Sequence, residues 1–143
     1  MFEEISATAI GKSATDDYFF ALGLKDGKVK LARLDSLNCL IYEENCSKLP
    51  LEHNIEITKI LFNQDATQMA TASLDHTAKL WNLQHRTEDN IPLMEHKSWI
   101  WDMTYTHDKK HILTVSEDRT ILKWFSELEE LENHVQKLLN NLN

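Results

Sequence analysis

One stretch of the chain is written twice. Thr71-Ala72-Ser73-Leu74-Asp75-His76-Thr77-Ala78-Lys79-Leu80-Trp81 recurs as Thr114-Val115-Ser116-Glu117-Asp118-Arg119-Thr120-Ile121-Leu122-Lys123-Trp124, so that Asp75 and Asp118 are 43 residues apart, as are Trp81 and Trp124. The offset holds upstream, where Glu52-His53 matches Glu95-His96 and Asp65 matches Asp108, with nothing inserted or deleted. Each copy runs strand, tight turn, strand, tryptophan. A period in the forties constrains the fold more than any other feature, because a unit this short cannot bury its apolar face alone and must stack in a propeller or solenoid array.

The chain has 143 residues, enough for one domain of ordinary size. Its net charge of −8 comes without clustered Lys and Arg, which argues against nucleic acid or an anionic membrane as partner and leaves protein partners. No apolar run approaches the length of a membrane span, and Met1-Phe2-Glu3-Glu4 lacks the basic start and apolar stretch of a secretory signal, so the expected address is the cytoplasm. Cys39 and Cys46 have no second pair and meet neither a zinc spacing nor a disulfide framework. Three glycines and two prolines are few for an all-β chain, so the turns are expected to use Asp, Asn and Lys.

In chain order, residues 5–10, 18–24 and 29–34 read as strands, the last two joined by Asp26-Gly27, a strong hairpin signal. Residues 38–43 read as a short outer strand and 45–50 as a loop. This is a first, degenerate unit that keeps Asp26 but has Ala32 or Arg33 where the later units carry Trp. The second unit starts at His53, with Ile57, Ile60 and Phe62 on its inner strand and residues 91–95 as its outer strand. The third repeats the inner pattern with Ile100, Met103 and Tyr105 and stops after Phe125 without an outer strand. Ser126-Glu127-Leu128-Glu129 then reads as a capping box, and Leu128, Leu131, Val135, Leu138 and Leu142 form a heptad seam that either docks on the sheets or pairs with another helix.

These units resemble the WD-repeat β-propeller family over about residues 5–125. The resemblance implies an all-β fold: a propeller segment of about three four-stranded blades, at about 5–44, 53–95 and 96–125, the last lacking its outer strand, followed by an amphipathic helix at 126–143. It also implies a structural hydrogen-bond network of a loop His, a strand Ser or Thr, a turn Asp and a strand Trp. Here those are His53, Thr71 or Ser73, Asp75 and Trp81, then His96, Thr114 or Ser116, Asp118 and Trp124. The family's Gly before His is replaced by Glu52 and Glu95, and its Asp after Trp by Asn82 and Phe125.

The same His–Asp pair in two successive units is what a structural network predicts, whereas an active site normally occurs once. No phosphate loop, nucleophile elbow or paired Cys motif is present, so no catalytic residue, metal or cofactor is expected. His107 and His111 flank a turn, where a four-residue spacing does not make a zinc site. Trp99, Trp101 and Glu117 are the candidate partner contacts, at the end of the units where propeller loops reach a binding face. The expected function is a non-catalytic protein-interaction scaffold; the alternative is the regulatory C-terminal portion of a longer signalling protein such as an NTPase or kinase. Three blades fall short of the four to eight that close a propeller, so the chain is expected to be either the C-terminal part of a longer propeller or a half that pairs with a second copy.

Overall fold

The computed structural model describes residues 3–33, 51–84, 91–126 and 128–141, with the backbone alone for 91–94 and 128–133. Within them lie ten strands and one helix: β1 Ile5–Lys12, β2 Tyr18–Leu24, β3 Val29–Arg33, β4 Ile57–Phe62, β5 Gln68–Ser73, β6 Thr77–Asn82, β7 Ile91–Glu95, β8 Ile100–Tyr105, β9 His111–Ser116, β10 Ile121–Phe125 and α1 Leu128–Asn140. They form three antiparallel meanders, β1-β2-β3, β4-β5-β6-β7 and β8-β9-β10. The strand expected over 38–43, Cys39, Cys46 and residues 85–90 lie outside the described residues.

Each first strand carries a register irregularity near its start, between Ile5 and Ala7, Ile57 and Lys59, and Ile100 and Asp102. The extra residue turns a spacing of two into three, which is why Ile57 and Ile60 face one core and Ile100 and Met103 another. The first strands β1, β4 and β8 lie side by side and bring the sheets face to face. Between the first and second sheets, Ala21, Val29 and Leu31 pack with Ile57, Ile60, Met69 and Trp81. Between the second and third, Ala70, Ala72, Ala78 and Leu80 pack with Ile100, Met103 and Ile112. Each fully buried large side chain contributes about 1.5–3 kcal/mol. Glycine lets β1 and β2 approach β4: a Cβ on Gly11 would sit 2.5 Å from the Phe62 ring, and one on Gly23 2.6 Å from Ile57. The second and third sheets are also tied by the Thr58 hydroxyl, which donates to Ile100 O at 2.8 Å, and by a Lys59–Asp102 ion pair at 3.0 Å.

Residues 51–52, which no strand was expected to include, occupy the open edge at the start of β3. Lys28 bridges Glu52, Val29 N–H donates to Leu51 O, and His53 N–H donates to Gly27 O. The last bond recurs as His96 N–H to His76 O, at the end of β7. Ladder registers resolve the first unit's alignment as well. Leu22, Leu24 and Ala32 stand where the second unit has Thr71, Ser73 and Trp81.

Positive φ in the six tight hairpins among the described residues is taken by Asp16 and Lys109, which are of the types expected there, by Gly27, and by Ala66, His76 and Arg119, which are not. Ser126, expected to cap the helix, donates its hydroxyl hydrogen to Lys109 O at 2.7 Å, locking the end of β10 onto the β8–β9 turn and leaving its lone pairs for other donors. Glu127 and the Glu129 side chain of the expected capping box lie outside the described residues. On α1, Val135 and Leu138 of the expected seam are exposed, as is Leu139, while the His134 ring meets Phe125 at 5.2 Å. The side chains of Leu128 and Leu131, and all of Leu142, lie outside the described residues.

A repeated polar network and an exposed tryptophan pair

The second sheet brings His53, Thr71, Ser73, Asp75 and Trp81 into one hydrogen-bonded set. β5 carries Thr71 and Ser73 inward, β6 carries Trp81 beside Thr71, and the residues preceding β4 supply His53. Trp81 Nε1–H donates to Thr71 Oγ1 at 2.8 Å, and Thr71 Oγ1 lies 2.8 Å from His53 Nε2. His53 Nδ1 lies 3.0 Å from Asp75 Oδ2 and 3.1 Å from Thr77 Oγ1. Indole can only donate, so Thr71 receives it, and the Thr71 hydroxyl hydrogen finds a partner only if it goes to Nε2. That assigns the neutral imidazole with hydrogen on Nδ1, aimed at the Asp75 carboxylate. Every polar atom of the chain from indole to carboxylate is then satisfied.

Asp75 finishes the turn. Its Oδ1 accepts from Thr77 N–H at 3.0 Å and Thr77 Oγ1–H at 2.6 Å, its Oδ2 from Asn54 N–H at 2.9 Å. Ser73 Oγ accepts from Asp75 N–H and reaches the carbonyls of Ile55 and Glu56. Burial pushes the Asp75 carboxyl up, but the hydrogen bonds from His53, Thr77 and Asn54 outweigh it and hold the group well below the usual carboxylate range.

The third sheet repeats the set atom for atom. Trp124 Nε1–H donates to Thr114 Oγ1 at 3.0 Å, Thr114 meets His96 Nε2 at 2.7 Å, and His96 Nδ1 lies 3.0 Å from Asp118 Oδ2. Ser116 Oγ accepts from Asp118 N–H and donates to Ser98 O. Hydrogen bonds from Thr120 first, then from Lys97 N–H and His96, hold the Asp118 carboxyl well below its ordinary range against desolvation. Thr77 and Thr120, which the sequence reading did not single out, are full members of the sets. Their identity at the 43-residue offset was the signal for them. The first sheet lacks the network, since Leu22, Leu24 and Ala32 offer no polar atom.

Trp99 and Trp101 stand at the entry to β8, 45% and 47% exposed. Their rings meet edge to face, with centroids 5.6 Å apart and planes at 86°. Trp101 Nε1–H donates to Glu117 Oε2 at 2.8 Å, and Glu117 N–H to Trp99 O at 2.9 Å, so the structure brings these three residues together. The His53 and His96 side chains are by contrast fully enclosed.

The family model described as "WD40: WD domain, G-beta repeat" matches residues 45–82 and 90–124. The human "Serine-threonine kinase receptor-associated protein" is 29% identical over 104 residues, covering 73% of this chain and 27% of that protein. The "Non-functional target of rapamycin complex subunit LST8-2" of Arabidopsis thaliana is 31% identical over 94 residues, covering 58% and 30%. A chain of the solved "Structure of ctPRC2 in complex with H3K27me3 and H3K27M" superposes with a TM-score of 0.67 at 17% identity, covering 89% of this chain and 26% of that one. The chain thus spans under a third of the length of these relatives.

Proposed function

The chain belongs to the WD-repeat family, and from that premise we propose that it is a non-catalytic protein-interaction module whose partner contact centres on Trp99, Trp101 and Glu117. The observation that carries this reading is a division of labour. The groups that look like acid–base machinery, His53 with Asp75 and His96 with Asp118, have no exposed imidazole surface and spend their polar atoms on holding turns. The solvent-facing group is instead an aromatic pair of the type enriched at binding hot spots. A net charge of −8 disfavours nucleic acid and anionic membranes as partners, and no described helix is long and apolar enough to cross a membrane. We place the module in the cytoplasm.

The coverage of the relatives favours a second reading, in which this chain is a regulatory portion of a longer signalling protein. Affinity capture from cell extract with quantitative mass spectrometry tests the main proposal. Partners held by the parent chain are expected to be lost from a Trp99→Ala/Trp101→Ala variant whose melting is unchanged. An identical partner set on that variant overturns it.

A further inference from the structure

The third sheet carries a constellation that the second, built on the same plan, does without. Where the third unit has Trp99, Trp101 and Glu117, the second has Glu56, Thr58 and Leu74, each 43 residues earlier. The surrounding scaffold is the same in both. Leu74 N–H donates to Glu56 O at 3.0 Å just as Glu117 N–H donates to Trp99 O at 2.9 Å, and both turns hang on the same His, Asp, Ser and Thr groups. The blade therefore does not require two indoles and a carboxylate at this rim.

The perpendicular rings, each nearly half exposed, set two π faces, which carry negative potential, at a right angle to one another. The bond from Trp101 Nε1–H to Glu117 Oε2 fixes one ring and sets a carboxylate beside it. Among the described residues no Lys, Arg or His pairs with Glu117 or lies over either ring, and its Oε1 makes no hydrogen bond. Such a site suits a flat, weakly hydrated cation. Tryptophan is the strongest ring for cation–π contact, and a guanidinium both stacks on an indole and donates in plane to a carboxylate, which a compact, strongly hydrated ammonium does less well.

We propose that the Trp99–Trp101–Glu117 cluster is an arginine-binding subsite that takes one guanidinium from a basic peptide segment of a protein partner. This rests on reading the surface as the partner-binding face, and it adds the chemistry of the partner.

The test is a titration of the full chain, labelled with nitrogen-15, with a blocked pentapeptide of Ala and Gly around a central Arg. An isosteric citrulline peptide and a Lys peptide serve as comparisons, and the readout is the indole N–H resonance of Trp101, assigned with Trp101→Phe. The arginine peptide is expected to shift that resonance saturably while leaving the enclosed Trp81 indole unmoved. Glu117→Gln keeps an acceptor for Trp101 but removes the charge, and should weaken binding about 3- to 10-fold. Absence of a saturable shift, equal binding of citrulline or of the Lys peptide, or no effect of Glu117→Gln overturns the proposal. Partner capture that needs both tryptophans but tolerates Glu117→Gln leaves the binding-face reading standing and removes the arginine subsite. Peptide binding at the cluster with capture unaffected by losing the tryptophans does the reverse.

Discussion

Thr71 Oγ1 receives the indole hydrogen of Trp81 at 2.8 Å, inside a sheet where both residues are almost wholly removed from solvent. The same hydroxyl gives its own hydrogen to His53, so one small side chain keeps two larger buried groups paired. Thr71→Val preserves shape and removes both bonds. It should destabilise by about 1–3 kcal/mol for each group left unpaired, seen as a lower unfolding midpoint in urea with unchanged slope. An unchanged midpoint would show that the network does not contribute to stability.

The carboxyls of Asp75 and Asp118 are held below the unfolded value, so the sign of their linkage is defined. The stability they lend is fully present above the unfolded carboxylate pKa of about 4 and is lost as pH falls below it, because the unfolded chain then takes up protons that the folded chain refuses. Unfolding below that pH should include uptake of roughly two protons from this pair, and Asp75→Asn should remove about one. Urea midpoints measured from pH 7 down to pH 3 on both proteins check this.

The turn position held by Gly27 in the first sheet is held by His76 and Arg119 in the other two, all at positive φ. A Cβ on Gly27 would lie 2.2 Å from His53 O, so Gly27→Ala meets both strain and collision and should cost at least about 2 kcal/mol. Arg119→Gly relieves a left-handed residue and should raise stability by up to about 1 kcal/mol. Paired thermal melts would decide both.

On α1, Leu138 is 52% exposed. Leu138→Asp should therefore stay within about 0.5 kcal/mol of the parent. A fall in mass by light scattering on substitution would reveal instead that this seam holds a second copy.

What could be read in the sequence follows what repeats. Two copies in register disclosed His53, Asp75 and Trp81 together with His96, Asp118 and Trp124, because a polar set must be kept whole to remain satisfied when buried. The first sheet was harder to align because it has no such set. With Leu22 and Leu24 in place of hydroxyls, nothing demands an indole, and Ala32 fills the site. Turn composition was legible in part: Asp16 and Lys109 are of the types expected, whereas the Asp75 carboxylate accepts the Thr77 backbone hydrogen and anchors that turn, so His76 can sit in a conformation its propensity disfavours. Ser126 fits the pattern of a helix cap, and its hydroxyl hydrogen also goes to the carbonyl of Lys109, 17 residues away in sequence. Only tertiary structure could show that.

Met69 and Ala70 are neighbours in β5, yet one belongs to the core shared with the first sheet and the other to the core shared with the third. The middle sheet is thus a party wall. In a stack coupled only through nearest neighbours, its amides should be the last to exchange with solvent, since freeing them means stripping both sides. The two flanking sheets can each fray while the other stays in place, so loss of order should proceed inward from the ends like a zipper with two sliders.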